Sequence, residues 1–153
     1  MEGPPQLYEN TRYNFDRNER KTVTIYTTTA VGTMQLHEPL RIDKHSDVYI
    51  DSFISNNGTT TASGDEVFLL GVEEFNIKHI SNEAKYNNKV IIPNINTRKN
   101  VDTTITHRAT KFNYVGTINP CTLTKLTISL TANNLGVLET GHYWITFVIV
   151  ARD

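Results

Sequence analysis

Cysteine is almost absent from this chain. Cys121 is the single one in 153 residues, so no intrachain disulfide and no Cys-based metal cage can form. Its place after Pro120 reads as a small buried filler, because a redox or nucleophilic role needs a partner that no local spacing supplies. Long apolar runs are missing too. No stretch approaches the roughly 18–20 residues of a membrane-spanning helix, and the opening MEGPPQLYENTRYNFDRNER carries no signal-peptide core. Without disulfides or a leader, synthesis in a reducing compartment is expected. Net charge is also lacking: a formal −1 at pH 7 argues against nucleic acid or an anionic membrane held by bulk electrostatics. The basic pairs Arg20-Lys21 and Arg98-Lys99 are too small to reverse that balance.

Catalytic spacing is the third absence. His37, His45, His79, His107 and His142 stand singly, with no H-x-H, H-x-x-H or H-E-x-x-H to place two imidazoles on one metal. That disfavours a cupin-like enzyme. Glu73 and Glu74 are adjacent, so on a strand they point to opposite faces and cannot form a facing acid pair. Asp43 and Asp47 bracket a turn and read as its caps, with Ca²⁺ binding a minor alternative. No nucleophile elbow, phosphate-binding loop or dinucleotide fingerprint occurs. The expectation is a protein that is not an enzyme, with no catalytic, cofactor-binding or metal-ligating residues.

What the chain does have is β-branched and aromatic residues in alternation. His142–Arg152 (HYWITFVIVAR) puts Tyr143, Ile145, Phe147 and Ile149 on one face and Trp144, Val148 and Val150 on the other. A strand apolar on both faces belongs in the middle of a covered sheet. Burying the first four contributes roughly 1.5–3 kcal/mol each as an upper bound. Trp144, Tyr143 and Tyr114 read as core side chains, with a sugar-stacking role for Trp144 the lesser option.

Seven further strands precede it: Lys21–Thr29, Met34–Ile42 with Pro39 implying a bulge or an edge, Val48–Ser55, and Val67–Ile80 as one long strand kinked at Gly71. Lys89–Asn94, Asp102–Tyr114 and Leu123–Ala132 complete the set. Leu126, Ile128 and Leu130 of the last point inward. Asn56–Glu66 is the clearest loop, where Asn57-Gly58 reads as a tight turn although Asn57-Gly58-Thr59 is formally a glycosylation sequon. Gly116–Pro120 is a further turn. Eight strands and no helix predict an all-β fold, an eight-stranded single jelly-roll sandwich of two antiparallel sheets. An immunoglobulin-like sandwich or a closed barrel fits the same pattern. Residues 1–19 form a flexible N-terminal arm and 20–153 one domain. The arm carries Tyr8, Tyr13 and Phe15, and it reads either as a frayed terminus or as a segment laid on a neighbouring subunit.

Three stretches carry a resemblance: Asn88-Lys89-Val90-Ile91-Ile92-Pro93-Asn94, Tyr114-Val115-Gly116-Thr117-Ile118-Asn119-Pro120, and Phe147-Val148-Ile149-Val150-Ala151-Arg152. Together they resemble the short single jelly-roll capsid proteins of large icosahedral double-stranded DNA viruses, notably the penton proteins of five-fold vertices. The likeness covers roughly residues 20–152. It implies a homopentamer in the virion, assembled in the host cytoplasm. Double-jelly-roll major capsid proteins and other minor capsid proteins would be its neighbours, with no direct nucleic-acid contact and no membrane span. A minor capsid or cement protein elsewhere on the shell, or a β-sandwich module binding a glycan or receptor, are the alternatives. The jelly-roll pattern brings Asn56–Gly64, Ile95–Asn100 and Asn133–Gly136 to one end, toward the five-fold axis. Candidate subunit-contact residues are therefore Asn57, Gly58, Asn96, Asn133 and Asn134, with Tyr8, Tyr13 and Phe15 of the arm.

Deleting Met1–Glu19 is predicted to preserve the fold and impair assembly. Circular dichroism and thermal melting check the first half, and particle formation with the shell partner the second.

Overall fold

The computed structural model describes residues 19–56, 67–93, 105–132 and 142–152. Eight strands run along them: β1 (Arg20–Thr27), β2 (Val31–Ile42), β3 (Ser46–Asn56), β4 (Val67–Val72), β5 (Val90–Pro93), β6 (Ile105–Ile118), β7 (Cys121–Ala132) and β8 (His142–Ala151). One 3-10 turn, Ala84–Tyr86, lies between β4 and β5. The strands form two antiparallel sheets, ordered β1-β8-β3-β6 and β2-β7-β4-β5. β1 pairs with β8, β2 with β7, β3 with β6 and β4 with β5, so the pairing nests as in one long hairpin. Rolling that hairpin up adds the β3–β8 and β4–β7 ladders. This is a jelly roll, and the nesting distinguishes it from the other sandwiches the pattern allowed.

β8 lies where its composition requires. It is hydrogen-bonded on both sides, and Tyr143, Ile145, Phe147 and Ile149 point into the core essentially without exposure. Opposite them, Phe68, Leu70 and Val72 of β4 and Leu126, Ile128 and Leu130 of β7 fill the space between the sheets. Phe53 of β3 meets Phe68 with ring centroids 4.9 Å apart, and Phe147 meets Phe75 edge-on at 5.1 Å. Such pairs add about 0.5–1.5 kcal/mol beyond the area they bury. Pro39 sits on an edge strand, within a register break between Gln35 and Leu40, as its missing N–H requires.

Two expectations need correction here. The predicted strand Val67–Ile80 ends at Val72, not Ile80. A Glu74 carboxylate oxygen accepts from the Thr127 N–H, and the Glu73 N–H donates to the Thr127 carbonyl, turning the chain off β4. Phe75 and Ile77, whose alternation looked like strand, are buried instead as a plug between the sheets. Asn76 then exchanges backbone hydrogen bonds with Thr117 of β6 (2.7 and 3.2 Å), so the segment runs from one sheet to the other. Cys121 is exposed, not a buried filler. It opens β7 outside the inward set Leu123, Leu126, Ile128 and Leu130.

Gly116 permits the crossing. A Cβ there would lie 2.3 Å from the Asn76 carbonyl oxygen and 2.9 Å from its carbon, both backbone atoms that cannot swing aside. Gly116→Ala is predicted to cost about 1–3 kcal/mol. The check is a lower midpoint in urea unfolding at unchanged slope.

Candidate functional site

The described surface is richest in distinctive side chains on the outer face of the β1-β8-β3-β6 sheet. Strand register puts Tyr26 of β1 directly opposite Trp144 of β8, and Ile54 of β3 on the other side of Trp144. His142 lies two residues before Trp144 and so shares its face. The three rings meet. Tyr26 Oη is 2.8 Å from His142 Nδ1, donating to it or accepting from it according to the imidazole tautomer. The Tyr26 and His142 planes differ by 14°, with centroids 5.9 Å apart. The two rings are thus stacked with a large offset, and the hydrogen bond joins their polar edges. Trp144 completes the group, 5.9 Å from His142 at 22° and 5.2 Å from Tyr26 at 36°. The result is a stacked aromatic cluster on the outer sheet face, with Tyr26 51% exposed.

This placement overturns the reading of Trp144 as core. Trp144 is half-buried on the outer face, whereas its neighbour Tyr143 is fully buried as predicted. Tyr114, also read as core, is exposed on β6. Tyr26 went unremarked in sequence because its partner His142 lies 116 residues away, and only the β1–β8 ladder joins them.

A second cluster occupies the far end of the same sheet. Asp47 Oδ1 accepts from Arg152 Nε at 2.9 Å and from Nη2 at 2.6 Å. That bond raises the Arg152 guanidinium further above its usual range. Asp43 likewise holds Arg41, at 2.6 Å. Both acids predicted as turn caps are thus arginine partners, and the hydroxyl of Ser46 bonds the Lys44 carbonyl in the turn between them. Tyr49 packs edge-on against Tyr114 at 5.8 Å. Burial, then Asp47 and Tyr114, push the Tyr49 hydroxyl above its ordinary value of 10.0.

Grooves open on the described surface. One of about 730 Å³ runs past Val31, Gly71, Glu73, Lys78, Lys89 and Ser129. A smaller one of about 340 Å³ lies between β5 and β6, lined by Ile50, Ile77, Ile92, Tyr114 and Val115 among others. Among the described residues no three His, Cys, Asp or Glu side chains gather, and no helix is long and apolar enough to cross a membrane. The candidate contact residues Tyr8, Tyr13, Phe15, Asn57, Gly58, Asn96, Asn133 and Asn134 all lie outside the described residues. The strand ends that flank their loops are described. Asn56 of β3 faces His142 of β8, Ser55 faces Ile105 of β6, and Phe68 of β4 faces Ala132 of β7. These ends converge on one end of the sandwich.

No protein-family model matches the chain, and no curated protein matches it. Among solved structures it is similar to the infectious bursal disease virus VP2 subviral particle, at 10% identity and a TM-score of 0.36. That match covers 90% of this chain and 33% of the other, so the chain spans about a third of that protein's length.

Because its folded pKa is raised, Tyr49 contributes stability that is fully present below the ordinary tyrosine pKa and is lost as pH climbs through the folded value. Stability should therefore fall on the alkaline side of pH 10.0. Tyr49→Phe is expected to make that fall shallower, measured by denaturant midpoints from neutral pH upward.

Proposed function

We propose that this chain is a structural capsid protein of an icosahedral virus, a penton that forms homopentamers at the five-fold vertices. One observation supports this most. Two of the three stretches that resemble penton proteins, the ends of β6 and β8, meet on β3, where Ser46 lies opposite both Ile118 and Ala151 in a nested eight-strand jelly roll. Asn88 and Lys89 bond the His79 backbone and ring at the start of β5. Gly116 to Ile118 end β6 against Asn76, and Asn119 holds His45 at 3.0 Å. Arg152 closes β8 on Asp47.

The opposite end carries the connections β3–β4, β5–β6 and β7–β8, whose flanking strand ends converge. In a ring of identical subunits, loops gathered at one end can all face a single axis, as a five-fold vertex requires. A formal charge of −1 limits repulsion among closely packed copies. On this reading the role is non-catalytic, the location is the virion with assembly in the host cytoplasm, and double-jelly-roll major capsid proteins are the neighbours.

Light scattering tests the proposal. The 17.4 kDa chain should give five times its own mass, either alone or on mixing with the major capsid protein. A protein that stays monomeric in both conditions, or forms trimers, removes it from the five-fold vertex.

A further inference from the structure

We propose that the groove between β5 and β6 is a docking site for an extended acidic segment of another protein, which adds a strand to the open edge of β6. The inference stands on this side of the sandwich alone and does not depend on the capsid reading.

Backbone comes first. The two sheets end at β5 and β6, and each of these has a strand on one side only among the described residues. Between them runs the groove of about 340 Å³. Ile50, Ile77, Ile92 and Val115 close its floor and are all buried. Ile91 of β5, 42% exposed, and Tyr114 of β6, 58% exposed, also line it and give an incoming chain apolar surface to cover. An unpaired strand edge is a template for another chain. The outer edge of β6 is already used once: Asn76 exchanges backbone hydrogen bonds with Thr117 at 2.7 and 3.2 Å. That antiparallel bridge is isolated, so the ladder stops there. Just before it in sequence, Asn113 and Tyr114 border the groove and pair with β3 on their other side. A peptide laid in the groove continues the ladder with its own backbone. An alkyl chain has no such groups, which separates a peptide from a lipid.

Charge comes next. Lys78, His79 and Lys89 line the same groove, and no described acid does. Lys78 and Lys89 also border the larger groove of about 730 Å³, so two lysines stand where the grooves adjoin. Glu73 borders the larger groove alone. Lys89 lies across the bare backbone of Gly71, where a Cβ would sit 2.8 Å from its Nζ. The stretch that builds this side is basic as a whole. Residues 75–118 hold seven Lys and Arg against two Asp and Glu, whereas the whole chain holds 15 against 16. An acidic segment is drawn to such a side. A second copy of this chain does not supply one. The edge strands β1, β2, β5 and β6 hold a single acid between them, Glu38.

The probe is a fluorescein-labelled peptide, Glu-Glu-Ile-Val-Ile-Asp-Glu, titrated with the full chain and followed by anisotropy. Saturable binding is expected at roughly 100 µM or tighter. It should weaken several-fold when salt is raised from about 50 to about 300 mM. The same peptide with lysine in place of each acid should not bind. Lys78→Met combined with Lys89→Met keeps both stems, removes both charges and should weaken binding about tenfold. Lys85→Met, at the Lys85–Glu83 pair outside the groove, should leave binding unchanged. A strand turns alternate N–H groups to each of its edges. N-methylation of one alternate set of probe residues should therefore abolish binding and of the other set spare it, a comparison that needs no protein variant. No saturable binding of the acidic probe overturns the proposal. So do equal losses from the two methylation patterns, or unchanged binding by a folded double-lysine variant. Tighter binding of a labelled oligothymidylate than of the peptide also overturns it, by making the basic side a nucleic-acid surface.

Discussion

The final strand must be held on both sides, and the rest of the molecule follows from that constraint. β8 is apolar on its inner face and largely apolar on its outer one, so an edge position cannot accommodate it. Its two neighbours are β1 and β3, and its ladder with β1 joins opposite ends of the described chain. Inside that pair the remaining strands nest, β2 with β7, β3 with β6 and β4 with β5. Pairing of such long range closes large loops before most contacts form, which places this fold among the slower ones to assemble.

Two sheets alone would leave the space between them open at the end of β4. The crossing segment after Val72 closes it. Glu73 and Glu74 are tied to β7, Asn76 is tied to β6, and Phe75 and Ile77 are buried between. Polar groups and apolar groups of the same few residues thus perform different tasks. The carboxylate and backbone bonds set direction, while the two side chains between them exclude water. Gly116 makes the approach sterically feasible, which explains a glycine in the last turn of residues of an otherwise side-chain-rich strand.

The outer face of the β1-β8-β3-β6 sheet is unusual in carrying two separate aromatic groups. Tyr49 and Tyr114 stand beside the Asp47–Arg152 pair, near the ends of β6 and β8. Tyr26, His142 and Trp144 stand at the opposite end, beside the strand ends from which the candidate contact loops spring.

Alternation of β-branched and aromatic residues was enough to specify eight strands, two stacked sheets and an interior final strand, with Pro39 marking a bulge or an edge. Those features depend on period-two burial, which is local and is written directly in the order of side chains. The same alternation misled at Phe75 and Ile77, because burial in a plug and burial in a strand leave the same pattern. It also misplaced Trp144 and Tyr114, since an aromatic residue in an apolar strand can face either way until the sheet has a buried side. Asp47 with Arg152, and Tyr26 with His142, are pairs separated by 105 and 116 residues. No local spacing encodes such meetings: they exist only because nested strand pairing brings the two ends of the chain into register.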